Sequence, residues 1–179
     1  SNKRKKDIID SRVISTELLY NSVKKQKVPL KTFISASAIG YYGSITSETI
    51  FKETDQPASD FLGKVCNLWE QSIFQFKKLK IRTVALRTGI VLSNNGGALK
   101  KITGPIIAPL GNGKQYMPWI HIDDLCKLYI HAIEDDRFKG AYNAVSPEHQ
   151  TNYSFSKTVA KIYKTPLLPI GAPKFILKA

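Results

Sequence analysis

The chain has 179 residues, 42% of them hydrophobic, and a formal net charge of +13. That length is sufficient for one well-buried core, and we expect one domain with an appendage. No apolar run approaches the roughly 18 residues of a transmembrane helix, and the start lacks the apolar segment of a secretory leader. These features predict a soluble, cytoplasmic protein with no membrane partner.

The positive charge is spread along the chain. Its main clusters lie at residues 3–6, 24–31 and 77–82, and they lack the interleaved aromatic side chains of a nucleic-acid platform. We interpret them as solvated helix ends and expect no nucleic-acid partner. The same field would attract an anionic ligand such as a phosphorylated cofactor.

The cysteines and histidines show no metal-binding spacing. Cys66 and Cys126 are far apart, each in a segment with a helical pattern. We expect free, buried thiols in a reducing compartment. The three histidines have no cysteine or carboxylate at ligand spacing, so we expect no metal site.

Helical and strand patterns alternate along the chain. Apolar residues at three- and four-residue spacing predict helices over 5–25, 61–78, part of 98–108, 123–134 and 152–163. Short apolar runs predict strands over 31–37, 83–86, 119–122, 141–145 and 167–170, the last one before a helical tail. This alternation is typical of a parallel sheet with helices on both faces.

The stretch 31–43, KTFISASAIGYYG, changes character half-way. Its apolar start predicts a strand buried on both faces. Its carboxyl end carries the small residues 35–38, SASA, which leave room for a ligand at the edge where open α/β sheets bind one.

Three spaced motifs then carry a family resemblance. They are residues 35–43, residues 87–92 (RTGIVL) with 96–99 (GGAL), and residues 111–115 (GNGKQ) leading into 119–125 (WIHIDDL). In this order they resemble the extended short-chain dehydrogenase/reductase superfamily. More narrowly, they resemble its atypical NAD-dependent epimerase/dehydratase branch, sometimes labelled cell-division inhibitor.

The resemblance implies a Rossmann-type sheet that binds NAD(P), with a small C-terminal substrate lobe. We expect residues 1–94 to be the C-terminal half of the dinucleotide-binding domain. Residues 95–179 would supply the substrate lobe and a further sheet strand at about 141–145. The family's phosphate-binding glycine loop matches nothing here, and the chain begins without Met. We therefore expect a longer protein whose first strands are missing from this sequence.

The resemblance also implies catalytic positions. Superfamily enzymes place a Ser at the end of the central strand and a Tyr-x-x-x-Lys on the next helix, where the Tyr is the acid/base group. Ser37 matches the Ser. Leu62 and Cys66 stand where Tyr and Lys belong, and Leu has no proton to exchange. Tyr41 or Tyr42 is the remaining candidate proton donor, and a packing role for each stays open.

Other site residues follow from the same motifs. Residues that match the cofactor side of the family's site are Ser35, Ala36, Thr88, Gly89 and Ile90. We expect NAD or NADP, with a slight preference for NADP. Arg87, which follows a core strand, is interpreted as a structural ion-pair partner.

The substrate side departs from the nucleotide-sugar epimerases. They carry an Arg that clamps the diphosphate where this chain has Met117, and a thioether cannot pair with a phosphate. We therefore expect a small substrate other than a nucleotide sugar, with Gln115, Met117 and Trp119 as the candidate substrate-binding residues.

Two hypotheses remain open at this stage. One is an NAD(P)-dependent oxidoreductase or epimerase-like enzyme with an unconventional acid/base group. The other is a dinucleotide-binding protein without turnover that has a regulatory or scaffolding role, for example in division. A homodimer is compatible with both.

Overall fold

The computed structural model of the protein describes residues 1–168. Its helices are α1 (Asn2–Gln26), α2 (Phe61–Phe74), α3 (Gly97–Ile102), α4 (Ile122–Glu134) and α5 (Asn152–Tyr163). Its strands are β1 (Thr32–Ala38), β2 (Arg82–Thr88), β3 (Ile90–Ser93), β4 (Trp119–His121) and β5 (Gly140–Ala144). Short 3₁₀ helices cover Ile39–Tyr42 and Gln75–Leu79.

The main sheet is parallel throughout. Its strand order is β1-β2-β5, and both pairings are parallel. β3 and β4 form a separate parallel pair. The predicted α/β class with a parallel sheet and helices is confirmed, because each long apolar pattern forms the element that its period indicates.

Burial along the sheet differs from the prediction in one respect. The strand buried on both faces is the central β2, in which residues 83–87 are all buried. β1 lies at an edge of the described sheet, and within it only Ser37 is buried. Within the described residues β1 is therefore less buried than predicted, with β2 as its one strand neighbour and α2 packed on it.

The chain divides into two compact units. The first contains residues 1–45, 50–88 and 126–144, and the second contains residues 46–49, 89–125 and the chain from residue 145. The predicted division at residue 94 stays a prediction.

In the first unit α2 packs on β1 and β2, and α1 packs on α2. The core under α2 includes Ile73 and Phe76, both fully buried, and the Phe76 ring stacks on Phe33 of β1 at 3.8 Å. Burying side chains of this size contributes about 1.5–3 kcal/mol each. The packing of α2 on the sheet therefore fixes the positions of the residues at the strand ends.

The second unit has its own core. Buried residues from β3, the loops and α5 form one cluster: Leu92, Ile107, Met117, Phe155, Val159 and Ala160. Thr151 caps α5 by accepting a hydrogen bond from the backbone N–H of Ser154, as a helix N-cap requires. The helix predicted over 152–163 is confirmed.

Three details complete the comparison. The predicted helix 61–78 ends at Phe74 and continues as a 3₁₀ helix. Of the predicted strand 167–170, Leu167 forms one bridge with Ile107, and the rest of that strand and the helical tail lie outside the described residues. Cys66 is buried as expected, but Cys126 is exposed, so that part of the prediction is wrong.

In the described part of the chain, no helix combines the length and hydropathy needed to cross a membrane.

Candidate functional site

A row of polar residues crosses the carboxyl ends of the three main strands. Ser37 of β1 is the register partner of Arg87 of β2, and Arg87 is the register partner of Asn143 of β5. Side chains at matching positions of adjacent strands point to the same face of a sheet. The sheet therefore brings three side chains together that are far apart in the sequence.

Glu70 of α2 joins two members of this row. Its Oε1 accepts hydrogen bonds from Arg87 Nε at 2.9 Å and from the Ser37 hydroxyl at 2.6 Å, and its Oε2 accepts one from Arg87 Nη2 at 2.9 Å. The Glu70 and Arg87 side chains are only 5% and 4% exposed. This is a buried, bidentate ion pair, the geometry in which Arg and carboxylate interact most strongly. The predicted ion-pair role of Arg87 is confirmed.

Tyr42 connects the ion pair to β5. Its hydroxyl accepts a hydrogen bond from Arg87 Nη1 at 2.8 Å. Its own proton has two acceptors within reach, Asn143 Oδ1 at 2.7 Å and the Lys52 carbonyl at 3.1 Å. The Tyr42 hydroxyl thus both accepts and donates hydrogen bonds within the protein.

The same residues fix a segment of the loop between β1 and α2. Asn143 donates from its backbone N–H to Glu53 Oε1 and from Nδ2 to the Phe51 carbonyl, at 2.8 and 3.3 Å. Arg87 Nη1 also donates to the Glu53 carbonyl at 3.2 Å, and the Phe51 ring stacks on Tyr42 at 4.8 Å. Residues 51–53 are therefore held at the carboxyl end of β2 and β5.

The electrostatics follow from burial and pairing. Burial raises the pKa of the Tyr42 phenol above its ordinary value, and the hydrogen bond from Arg87 offsets this only in part. For Arg87, burial would lower the pKa, but the hydrogen bonds to Glu70 and Tyr42 outweigh it and raise the pKa of the guanidinium. At neutral pH the site contains a neutral Tyr42 and a charged Arg87, so Tyr42 is a poor proton donor.

Tyr41 is in a different position. It is half-buried, and the Arg87 guanidinium carbon lies 3.5 Å from its ring centroid, a cation–π contact. This contact holds the ring while the hydroxyl enters none of the bonds described above. Of the three predicted catalytic residues, Tyr41 alone keeps its hydroxyl outside the buried network formed by Ser37, Glu70, Arg87, Tyr42 and Asn143. The catalytic roles of Ser37, Tyr41 and Tyr42 stay predictions.

The helix positions that matched the family's Tyr and Lys lie beside the end of β1. A Cβ added to Gly40 would lie 3.4 Å from Cys66 Sγ and 3.6 Å from Leu62 Cβ. Burial, and then the Glu70 charge, raise the pKa of the Cys66 thiol to about 11. Neither side chain can therefore exchange a proton near neutral pH.

The predicted cofactor-side residues fall in both units. In the first, Ser35, Ala36 and Thr88 are partly exposed at the carboxyl half of their strands. In the second, a Cβ on Gly89 would lie 2.6 Å from the Pro118 carbonyl oxygen, which also accepts the Ile90 N–H at 2.8 Å. Close approach of the backbone explains the glycine. The cofactor roles of all five residues stay predictions.

The predicted substrate-side residues all lie in the second unit. Gln115 donates to the Leu110 carbonyl at 2.9 Å. Met117 is 7% exposed and belongs to the core, and its sulfur accepts a hydrogen bond from Asn152 Nδ2 at 2.8 Å. Trp119 packs against the same core, and its buried Nε1 has no hydrogen-bond partner among the described residues. Their substrate roles stay predictions.

Sequence reasoning missed Glu70 and Asn143 as members of the network. Glu70 carried a signal, since an acidic residue in the buried stripe of α2 needs a cationic partner. Arg87, at the end of the apolar β2, was the available partner. The contact between Asn143 and Glu53 has no signal in the sequence, because 90 residues separate them and no pattern relates them.

Comparison with known proteins assigns the chain to a family. The model of the NAD dependent epimerase/dehydratase family matches residues 1–145. The chain belongs to this family. The predicted membership is confirmed, and the parallel sheet is the Rossmann-type sheet of the family's extended short-chain dehydrogenase fold.

Individual relatives agree with the assignment. The chain is 33% identical over 180 residues to an epimerase family protein of Mycobacterium leprae, covering 98% of this chain and 57% of the relative. The structure of the human epimerase family protein SDR39U1 with NADPH has a TM-score of 0.85 and 28% identity, covering 99% of this chain and 61% of that one. A nucleoside-diphosphate sugar epimerase from Corynebacterium glutamicum has a TM-score of 0.81 and 31% identity, covering 94% and 39%. The chain thus spans about three fifths or less of these proteins.

Proposed function

We propose that this protein binds NAD or NADP and acts as an oxidoreductase of the extended short-chain dehydrogenase type. One observation carries the proposal: the carboxyl ends of three parallel strands meet at one edge, and β1 ends there in small side chains. In open α/β sheets this edge binds the ligand. The likeness to a human protein whose structure contains NADPH supports the same cofactor class.

The residues at this edge fit a nicotinamide cofactor. Ser35 and Ala36 retain solvent access, whereas Ala85 and Leu86 beside them on β2 are fully buried. Successive side chains of a strand point to opposite faces, so a flat ring on the face of Ala36 would meet this small side chain and Thr88 at the end of β2, and a group on the other face would meet Ser35. When bound, the cofactor supplies or accepts a hydride, and these residues hold and orient it.

The proposed substrate is a small molecule other than a nucleotide sugar. The family position of a diphosphate-clamping Arg is occupied by Met117, which is buried in the second unit's core. A thioether offers no charge to a diphosphate.

Proton transfer would fall to Tyr41. Leu62 and Cys66 cannot perform it, and Tyr42 has its proton engaged with Asn143 or the Lys52 carbonyl. The Ser37 hydroxyl donates to Glu70, so toward a substrate it could act only as an acceptor. Tyr41, whose ring contacts the Arg87 guanidinium, is the remaining candidate for the proton donor.

The second candidate is dinucleotide binding without turnover. It is favoured by the same network, because the hydroxyls of Ser37 and Tyr42 serve internal bonds and no Lys stands beside Tyr41 in the motif. A regulatory or scaffolding protein needs only the binding edge.

Turnover separates the two candidates. The full-length gene product is incubated with NADPH and a panel of small aldehydes and ketones, and oxidation is followed at the nicotinamide absorbance. The enzyme hypothesis expects turnover that falls about 10²–10⁴-fold in Tyr41→Phe, the range for loss of a general acid, and is unchanged in Tyr153→Phe, an exposed tyrosine on α5. Binding of NADPH with no turnover on the whole panel would favour the second candidate.

A further inference from the structure

A groove of about 610 Å³ opens in the first unit at the amino-terminal ends of β2 and β5. This is the sheet edge opposite to the row of Ser37, Arg87 and Asn143. Four of the residues that line it are basic, Lys77, Lys80, Arg82 and Lys139, and none of its lining among the described residues is acidic. We call it the amino-edge groove.

Arg82 gives the groove a fixed positive charge. Its Nη1 donates to the carbonyls of Ala132 and Phe138 at 2.6 and 3.0 Å, and its Nη2 donates to that of Ile133 at 2.9 Å. These bonds hold the guanidinium at the carboxyl end of α4, beside the groove. The carboxylate paired with it is Asp136, 3.2 Å from Nε and 96% exposed, where water screens the pair.

The three lysines carry charge that the protein leaves unmatched. None of them has an ion-pair partner within residues 1–168, although the first unit pairs other cations, such as Arg137 with Asp135. Lys77 Nζ lies 4.3 Å from the centroid of the Phe74 ring, a contact that keeps its full charge. Like charges gathered in a concave surface repel one another, and an anion relieves that repulsion.

The size and charge of the groove indicate the class of anion. Its volume lies within the range of about 300–1,000 Å³ for small-molecule sites. Ammonium groups bind phosphate as point charges, and several of them around one space suit more than one phosphate. Single-stranded nucleic acid would need an extended basic track and exposed aromatic platforms, and among the described residues the groove's lining contains no aromatic residue. We propose that the amino-edge groove binds a small anion that carries two or more phosphate groups.

Calorimetric titration of the full-length gene product with sodium tripolyphosphate tests this, with and without saturating NADPH. We expect saturable binding at low ionic strength that weakens with added salt. The double variant Lys80→Gln/Lys139→Gln should weaken it about tenfold, with NADPH affinity unchanged. That last result separates this site from the proposed dinucleotide site. Lys157→Gln/Lys161→Gln on α5 removes the same charge from exposed positions and should have no effect.

Several outcomes would overturn the proposal. Absence of tripolyphosphate binding at low salt is one. Equal weakening in both double variants would mean that net charge alone attracts the anion. Tighter binding of a DNA duplex than of tripolyphosphate, lost in Lys80→Gln/Lys139→Gln, would assign the groove to nucleic acid. Thermal melts followed by circular dichroism verify that each variant is folded.

Discussion

Replacing Arg87 by Met removes the centre of the buried network. The variant leaves the Glu70 carboxylate, 5% exposed, with the Ser37 hydroxyl as its one remaining hydrogen-bond donor in that network. It also removes the hydrogen bond to Tyr42 and the cation over Tyr41. Methionine is chosen because its unbranched side chain fills most of the vacated length.

The expected cost is large. Breaking a buried ion pair from one side costs about 3–5 kcal/mol, because the remaining charge is buried without compensation. That is a substantial part of the roughly 5–15 kcal/mol that separates a folded domain from its unfolded chain. The double variant Glu70→Leu/Arg87→Met removes both charges and should be less destabilised than Arg87→Met alone.

Urea unfolding monitored by circular dichroism measures both effects. The comparison uses the free energy of unfolding of the wild type, the two single variants and the double variant. Lys64→Met, at an exposed position on α2, is the control and should change stability by less than about 0.5 kcal/mol. A loss below about 1 kcal/mol in Arg87→Met, or a double variant as unstable as the sum of the singles, would refute the argument.

Three further predictions concern residues of the first unit. Gly63→Ala should cost about 1–3 kcal/mol in urea unfolding, because its Cβ would clash with the Ala58 carbonyl oxygen; an unchanged midpoint would contradict this. Hydrogen bonds from backbone N–H groups, that of Gly63 first, lower the pKa of Asp60 in the folded state, so its contribution is present above about pH 4 and is lost as pH falls through the lower folded value. The deficit of Asp60→Asn should therefore shrink in acid, and a deficit that does not vary between pH 7 and pH 2 would count against it. Iodoacetamide at pH 8 should modify the exposed Cys126 and spare Cys66, because burial raises the pKa of the Cys66 thiol to about 11; mass spectrometry of the peptides measures both.

Local pattern predicted most of the elements. α5 follows from Thr151 as an N-cap and the apolar spacing of Phe155 and Val159, and the structure has the helix at Asn152–Tyr163. β2 follows from a short apolar run. These features depend on residues close together in the sequence, so one segment is enough to predict them.

What the sequence left open depends on long-range pairing. Burial of β2 in place of β1 depends on strand order, which no local pattern specifies. The network of Ser37, Glu70 and Arg87 needs β1, α2 and β2 in register. A buried carboxylate and a buried guanidinium indicate that a partner exists for each, but only the register identifies it.

The predicted site residues illustrate the same limit. Ser37 is predicted as catalytic because it matches the family's Ser, and Tyr42 because it lies near the end of β1. In the structure their hydroxyls meet Glu70, Arg87 and Asn143, contacts that span up to 101 residues of chain, and their catalytic roles stay predictions. Family motifs indicate where a side chain lies in the fold, and the partners around it decide what it can do.

Titration of the full-length gene product with NADPH and with NADH, monitored by nicotinamide fluorescence, tests the central claim most directly. We expect saturable binding of at least one dinucleotide. Ala36→Phe, which fills the space beside β1, should weaken it strongly, while Ala58→Ser in the loop before α2 should leave it unchanged. Absence of binding by both dinucleotides, or equal affinity in Ala36→Phe and the wild type, would contradict the proposed cofactor edge.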